Sequence, residues 1–352
     1  MRGLISMRGS LRHAGVAGAI LLLAGVSACG GSTGTASSGA SGGASADASS
    51  GGPAPVQPAL AAPAASCTPG ATASYQPPAG ILTSWPSGSL MQTIKDRGYL
   101  VVGVSGDTRL LGARNVLSAG ALEGFDIDIA KRVAKALLGS ESKVQFRVIT
   151  AGQRIPLVNS GAGTKAAPQN GVDMVARAMT MTCDRWNNAD PAKRVAFSSV
   201  YLLAHQGLLV RRDANVASVA DLQKQKANVC APTGSTSLTN IAKFTGIRPV
   251  SVEIHSDCLA LWQEGKVDAI TGDDAILAGF KAQDPQAVIL PKVSLEDEPY
   301  GLAVAASHRE FAQYLNALLE QLRADGTWAT VYSTWLAGPL GPAGPPAATY
   351  GR

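Results

Sequence analysis

The chain has 352 residues, of which 46% are apolar and only 16% are charged, and its formal net charge is +5. Three of the positive charges, Arg2, Arg8 and Arg12, lie in the first 28 residues, which contain no acid, so the remainder carries +2. No cluster of Lys and Arg with interleaved aromatic residues occurs, and the sequence therefore argues against a nucleic-acid-binding protein.

The first 28 residues have the pattern of a signal peptide. A basic segment precedes the apolar run "AGVAGAILLLAG" (14–25), which is too short to span a bilayer. The following "VSAC" ends at Cys29 and resembles a bacterial lipobox, in which the cysteine carries lipid, including acyl chains such as palmitate. The alternative is an ordinary secretory cleavage site followed by an incidental cysteine.

Residues 29–84 are rich in Gly, Ala, Ser and Pro. Such a segment cannot bury enough apolar surface to offset its chain entropy, so we predict a disordered tether. About 50 flexible residues have an r.m.s. reach on the order of 40 Å. Residues 339–352 are predicted to form a disordered tail. With lipid on Cys29, the tether would hold the folded part near the outer face of the cell membrane.

Four cysteines remain if Cys29 is acylated. An even number in an exported protein indicates two disulfides, for which three connectivities are possible. Cys230 lies in a strand-like run and Cys258 begins the next helix-like run, which favours Cys230–Cys258 and leaves Cys67–Cys183. No pair has the spacing of a zinc site, so we expect no metal.

Strand-like and helix-like segments alternate from residue 85 to residue 338, which is typical of an α/β fold. The run "YLVVGVS" (99–105) predicts a buried parallel strand. The segment "GFDIDIAKRVAKALLG" (124–139) has an apolar stripe at helical spacing and ends on glycine. Further strands are predicted at "VQFRVIT" (144–150) and "GVDMVARAMTMT" (171–182).

A single hydrophobic core is seldom large enough for about 250 folded residues, so two lobes are predicted. The first comprises residues 85–203 and 298–338, and the second comprises residues 204–297. The chain would then cross between the lobes near 201–206 and 295–303. Two such crossing strands would form a hinge.

In this arrangement the sequence resembles the extracytoplasmic solute-binding proteins of polar amino acid ABC importers, the family 3 type that includes glutamate-, glutamine- and aspartate-binding lipoproteins. The match covers nearly all of residues 90–338. It is carried by the ordered phrases "VVGVSGDT", "GFDIDIAKRVAKAL", "QRIPLVNSG", "VDMVARAMTMTCDRW", "VAFSSVYLLAHQGLLV", "PTGSTS", "GKVDAITGDDAIL" and "PYGLAVA". The resemblance implies a two-lobed type II periplasmic-binding-protein fold, a monomer without a cofactor, and an ABC permease with its ATPase subunits as partner.

A free amino acid presents a carboxylate, which suits a bidentate guanidinium, and an ammonium, which suits oxygen acceptors. By position, the resemblance implies that Arg185 binds the α-carboxylate. It implies that the Thr180 hydroxyl lies beside that arginine and that the Ala178 carbonyl faces the ammonium. From the second lobe, it implies that Ser235 and Thr236 contact the carboxylate.

Asp273 in "TGDDA" matches the family acid that binds the ammonium. Asp274 could hold that role instead, or both could cap the following helix. Arg154 in "GQRIPL" matches an arginine that pairs with the second carboxylate in members selective for acidic amino acids. Asp107 resembles a first-strand acid near the ligand, and Arg109 is a further positive candidate.

Arg177 is another candidate, but strand alternation places it on the face opposite Ala178 and Thr180. The segment "GDTRLLGARN" (106–115) lacks the aromatic residues that often stack on the ligand in the family. The resemblance therefore leaves the identity of the amino acid open.

The predicted function is that of a lipid-anchored, extracytoplasmic binding protein for a polar amino acid, favouring glutamate, aspartate or their amides. One alternative is a sensor that signals to a membrane partner through the same ligand residues. Another is an enzyme similar to cyclohexadienyl dehydratases, which would need a general acid in the cleft. The four histidines are scattered, so we expect no enzyme.

Overall fold

A computed structural model describes residues 67–291 and 293–352 of the protein. The predicted signal peptide, Cys29 and most of the predicted tether lie outside the described residues. Within the part of the chain that the structure describes, no helix is both long enough and apolar enough to cross a bilayer.

The strands of the described residues are short, and most have fewer than six residues. In chain order they are β1 (Ala73–Ser74), β2 (Leu100–Val104), β3 (Asp107–Thr108), β4 (Gly112–Asn115), β5 (Ala121–Glu123), β6 (Val144–Val148), β7 (Met174–Val175), β8 (Val195–Phe197), β9 (Leu202–Arg211), β10 (Asn228–Pro232), β11 (Arg248–Val252), β12 (Ala269–Asp273), β13 (Ala287–Ile289), β14 (Glu296–Tyr300), β15 (Ala303–Ala305) and β16 (Thr349–Tyr350).

The helices alternate with these strands. They are α1 (Leu90–Arg97), α2 (Phe125–Leu138), α3 (Arg154–Ser160), α4 (Cys183–Asn187), α5 (Val219–Lys224), α6 (Thr236–Ile241), α7 (His255–Gln263), α8 (Asp274–Lys281), α9 (Arg309–Ala324), α10 (Thr327–Trp335) and α11 (Ala337–Leu340). Two 3-10 turns span Val116–Ser118 and Pro191–Lys193.

Two larger sheets define two lobes. The first sheet has the order β6-β2-β7-β15-β8, and β2 pairs in parallel with both β6 and β7. All five residues of β2 are buried, as expected for a parallel strand covered on both faces. The second sheet has the order β11-β10-β12-β9-β13, with β14 also paired to β9.

The chain crosses between the two sheets twice. It leaves β8 for β9 through residues 198–201 and returns from β14 to β15 through residues 301–302. The crossings run side by side, because the Tyr201 N–H donates to the Tyr300 carbonyl at 2.9 Å and the Ser198 N–H to the Leu302 carbonyl at 2.9 Å. Two adjacent extended segments between lobes are the geometry of a hinge.

The strand expected over residues 171–182 is shorter in the structure, where β7 spans only Met174–Val175. Ala178 has a φ of +42°, in the left-handed region that L-residues other than glycine seldom adopt. Its N–H donates to Asp126 Oδ2 at 3.0 Å, and its carbonyl accepts from Arg154 at 2.8 Å. At Ala178, side chains therefore take the backbone hydrogen bonds that a continuing strand would have given to a neighbour, and backbone pairing resumes at Thr180, which bridges to Tyr300.

The two ends of the described chain also differ from the sequence expectation, which was disorder for residues 67–84 and 339–352. β1 pairs in parallel with β16, although 276 positions separate Ala73 from its partner Thr349. Ser74 is buried, and its hydroxyl donates to the Phe197 carbonyl at 2.7 Å. Composition describes the entropy of such segments but not the partners that order them, so the prediction missed this pairing.

Arg352 joins these ends to α4. Its Nε donates to the Ala73 carbonyl at 2.8 Å and one Nη donates to the Gly70 carbonyl at 3.1 Å. Its guanidinium carbon lies 4.1 Å from the ring centroid of Trp186, which is within the range of a cation–π contact. Trp186 in turn donates from its indole N–H to the Ala71 carbonyl at 2.8 Å.

Both favoured disulfides are present in the structure. Cys67–Cys183 fastens the start of the described chain to α4, and Cys230–Cys258 joins β10 to α7. The first bond, together with Arg352 and Trp186, holds α4 against the two chain ends.

Replacing Arg352 with alanine is expected to lower the melting temperature. The change removes two hydrogen bonds to carbonyl groups, a weaker one to Cys67 Sγ and one cation–π contact from a half-buried side chain, a loss of about 2 kcal/mol. In a domain of this size that corresponds to a decrease of roughly 5 °C. Thermal unfolding followed by circular dichroism measures it, with the exposed Arg248→Ala as the matched control. An unchanged melting temperature for Arg352→Ala would show that the two ends do not stabilise the fold.

Candidate functional site

Polar side chains are buried where the two lobes meet. Two arginines, Arg154 and Arg185, come from the first lobe. Asp273 comes from the second lobe, and Glu298 lies on β14, the strand that precedes the second crossing. Each of these four residues is at most 8% exposed, so the cluster is shielded from solvent.

Arg154 is the first residue of α3 and reaches across to the second lobe. Its Nε donates to the Ala151 carbonyl at 2.9 Å, and one Nη donates to the Ala178 carbonyl at 2.8 Å. The other Nη donates to the Gly234 carbonyl of the second lobe at 2.9 Å. Burial lowers the pKa of Arg154, and the nearby cations Arg185 and Arg177 lower it further.

Arg185 lies in α4, which begins after Thr182. The Thr182 hydroxyl accepts a hydrogen bond from the Arg185 N–H at 3.2 Å and so caps the helix. One Nη of Arg185 donates to the Thr180 carbonyl at 2.5 Å, and the other donates to the Gly234 carbonyl at 3.3 Å. The guanidiniums of Arg154 and Arg185 therefore converge on one carbonyl of the opposite lobe.

The two lobes approach each other closely at Gly234. Its φ is +76°, and a Cβ added there would lie 2.9 Å from the Gly152 Cα of the first lobe. Both the backbone conformation and the close approach require glycine. The structure thus shows the lobes in a closed arrangement around the buried charges.

The acidic side of the cluster contains Asp273, the last residue of β12. Its Oδ2 accepts a hydrogen bond from the Tyr300 hydroxyl, and its Oδ1 accepts one from the Ser237 hydroxyl at 3.4 Å. Burial, and then the charge of Glu298, raise the pKa of Asp273 to about 8. Asp274 instead accepts a hydrogen bond from the Ala275 N–H at 2.8 Å, in the first turn of α8.

Glu298 is a member of the cluster that the sequence did not identify. It is fully buried, and its Oε2 accepts hydrogen bonds from the hydroxyls of Thr180 and Thr236, the latter at 2.7 Å. Burial raises its pKa, although these two hydroxyls and the nearby arginines act in the opposite direction. The one available signal is an acid two residues before the apolar "YGLAVA", but only the tertiary structure shows which way that acid points.

The remaining polar residues predicted for the ligand lie at the edge of this cluster. The Thr180 and Thr236 hydroxyls are 3.3 Å apart, one from each lobe. Ser235 caps α6, because its hydroxyl accepts from the Leu238 N–H at 3.1 Å and donates to the Pro232 carbonyl at 2.7 Å. Its side chain therefore stabilises the loop that carries Gly234.

Asp107 and Arg177 belong to a second contact near the cluster. Asp107 accepts hydrogen bonds from the Ser256 N–H of the second lobe at 3.0 Å and from the Ser105 hydroxyl at 2.7 Å. Burial alone would raise the pKa of Asp107, but these hydrogen bonds bring it below its ordinary value. Arg177 donates to the Ile149 carbonyl at 2.7 Å and lies near Asp107 and Asp126.

Arg109 is exposed, and the structure does not bring it into the cluster. Its carbonyl instead lies against α8, since a Cβ added at Gly279 would be 2.8 Å from that oxygen. Within residues 67–291 and 293–352, no three His, Cys, Asp or Glu side chains are grouped to hold a metal ion.

Residues 100–338 match the family model of the bacterial extracellular solute-binding proteins, family 3. The chain is 37% identical over 247 residues to the ABC transporter glutamine-binding protein GlnH of Bacillus subtilis (strain 168), a match that covers 70% of this chain and 84% of that protein. It is 29% identical over 244 residues to the glutamate-binding protein GluB of Corynebacterium glutamicum, covering 66% and 77%.

Solved structures show the same architecture. An ancestral arginine-binding protein bound to glutamine aligns with a TM-score of 0.59 at 31% identity, covering 68% of this chain and 98% of that one. The family match over residues 100–338 spans both lobes and includes the segments that carry the buried cluster.

Proposed function

Because the chain belongs to the bacterial extracellular solute-binding proteins, family 3, and has the two-lobed type II periplasmic-binding-protein fold, we propose that it captures glutamate, aspartate or one of their amides between its lobes. In this proposal Cys29 carries the lipid that anchors the protein to the outer face of the membrane. The protein then delivers the amino acid to an ABC permease. Metabolic labelling with palmitate tests the anchor.

The observation that carries the proposal is a pair of buried guanidiniums that lack an anionic partner. Within the described residues, neither Arg154 nor Arg185 forms a salt bridge with a carboxylate. A buried cation satisfied only by carbonyl groups is costly, and a carboxylate that reached it would be bound strongly. An amino acid supplies such a carboxylate, together with an ammonium for the acids on the other side.

Each end of the ligand then has a named partner. Arg185 holds the α-carboxylate and Asp273 holds the ammonium, with Thr180 and Thr236 beside them and Ser235 supporting the loop that carries Gly234. These groups come from both lobes, so the ligand satisfies all of them only when the lobes are closed. Binding therefore favours the closed arrangement over an open one.

The relatives' names support a small polar amino acid as ligand. The two curated relatives are described as glutamine-binding and glutamate-binding proteins. A calorimetric screen of the protein against the twenty common amino acids tests the proposal. We expect binding of glutamine, glutamate, asparagine or aspartate, and the absence of heat with every amino acid would contradict the proposed function.

Arg154 determines the preference for acidic side chains in this proposal. Replacing it with alanine removes a cation that would pair with a second carboxylate, so we expect the affinity for glutamate to fall by about 50-fold. The affinity for glutamine, which has no second charge, should fall far less. Calorimetric titration of both ligands measures the difference. Equal losses for glutamate and glutamine would show that Arg154 acts only through its hydrogen bonds to Ala178 and Gly234.

A further inference from the structure

Glu298 has a free acceptor that no part of the proposed ligand arrangement uses. The side chain is fully buried on β14, between the two lobes. Its Oε2 accepts from Thr180 of the first lobe and from Thr236 of the second. Its Oε1 is buried and has no hydrogen-bond partner among the described residues. A buried carboxylate oxygen without a donor is costly and favours a cationic donor from outside.

Glu298 also lies close to Asp273. Strand β9 separates β12 from β14, since Gln206 pairs with Asp273 on one edge and with Glu296 on the other. Glu298 and Tyr300 are two residues apart on β14, so their side chains lie on the same face. The Tyr300 hydroxyl donates to Asp273, which places both carboxylates on one side of the sheet.

We propose that Glu298 is a second carboxylate partner of the ligand ammonium, so that Asp273 and Glu298 together form a two-acid site for one amino group. This inference rests on the proposed function and adds to it a residue of β14, next to the second crossing. An ammonium has three donors. Asp273 already accepts from Tyr300 and Ser237, whereas Glu298 Oε1 is unoccupied by any described group.

The pair also predicts a proton that the ligand displaces. Two neighbouring buried carboxylates repel each other when both are ionised, and here burial and this repulsion outweigh the nearby arginines, so the ligand-free pair shares a proton. The raised pKa values of both acids agree with this. The other charged or titratable groups that face the pair are Arg154, Arg185, Asp274 and Tyr300. When the ammonium enters, the shared proton leaves to solvent and both carboxylates are ionised.

Glu298→Gln tests this role in the full protein. The amide keeps the size of the side chain and an oxygen for the two threonine hydroxyls, but it removes the charge and turns an N–H₂ group towards the ammonium. We expect the affinity for L-glutamine and for L-glutamate to fall together, by about tenfold or more. The exposed Glu296→Gln, on the same strand, is the matched control and should leave both affinities unchanged.

Calorimetric titration at pH 7 in phosphate and in Tris gives a second readout. These buffers differ in ionisation enthalpy, so the difference in heat counts the protons released. We expect the wild-type protein to release about one proton per ligand and Glu298→Gln to release less than half as many. The wild-type count tests the shared proton even if Glu298→Gln fails to fold.

The outcomes separate the two proposals. Wild-type protein that binds no amino acid in the panel contradicts the proposed function itself. If the wild type binds normally, either of two results overturns the two-acid site alone. One is an affinity of Glu298→Gln within twofold of the wild-type affinity, and the other is that the wild type releases no proton on binding. A lower affinity of Glu298→Gln with an unchanged proton count would show that Glu298 only links Thr180 and Thr236 across the lobes, which also contradicts the inference.

Discussion

Arg185→Ala is expected to reduce the affinity for every amino acid ligand by roughly a thousandfold, because it removes the proposed clamp on the α-carboxylate that all of them share. Arg185 is only 8% exposed, so bulk water screens its contact with the carboxylate weakly and the loss of the guanidinium is correspondingly costly. Arg185→Lys should also bind weakly, since an ammonium cannot make the bidentate contact. Calorimetric titration with L-glutamine and L-glutamate measures both variants.

Arg194→Ala is the control for Arg185, because this arginine is nine residues further along and only partly buried. Arg185 also donates to the Thr180 carbonyl, so melting temperatures must be measured for each variant. A folded Arg185→Ala that binds within tenfold of the wild type would refute the carboxylate assignment.

Asp273→Asn is expected to weaken binding by about 100-fold, because a buried ammonium would lose its proposed anionic partner. Asparagine keeps the size of the side chain and can still accept a hydrogen bond from Tyr300. Asp274→Asn is the matched control, since Asp274 accepts a hydrogen bond within α8 instead. If Asp274→Asn weakened binding more than Asp273→Asn, the two acids would have to exchange their assigned roles.

The raised pKa of Asp273 adds a pH dependence to the same prediction. Because the empty protein binds a proton there up to about pH 8, the ligand ammonium must displace it, and affinity should increase as the pH rises from 6 to 8. The stability contributed by the neutral acid in the ligand-free protein is complete below its ordinary pKa of 3.8 and is lost as the pH rises through about 8. Asp273→Asn should flatten both dependences, which titrations and melting curves at several pH values would reveal.

Local sequence patterns predicted the regular elements well. The predicted strand at 99–105 contains β2 at Leu100–Val104, and the predicted helix at 124–139 contains α2 at Phe125–Leu138. Both signals are local, because each is a pattern of apolar residues within a single segment of at most about 16 residues. The two-lobed α/β fold followed from their alternation and from the resemblance to the solute-binding family.

The order of the motifs also located most of the polar residues that the fold brings together. Arg154, Arg185, Thr180, Thr236 and Asp273 come from separate segments of the sequence. The structure brings them together where the lobes meet, and all of them except the partly exposed Thr236 are buried. Arg109 is exposed and is not part of the cluster. The sequence placed it beside a predicted cleft strand but gave no information about whether its side chain is buried. Their roles towards a ligand remain predictions.

The sequence by itself determined the fold class, the two lobes and the segments from which a site could be built, since composition, periodicity and motif order act over short distances. Only the tertiary structure decided that Glu298 turns inward between Thr180 and Thr236 and that β1 pairs with β16. These contacts join residues more than 60 positions apart, and no local pattern specifies them. Burial then sets the chemistry, because the same carboxyl group that is ionised in water holds a proton when it lies beside another acid away from solvent.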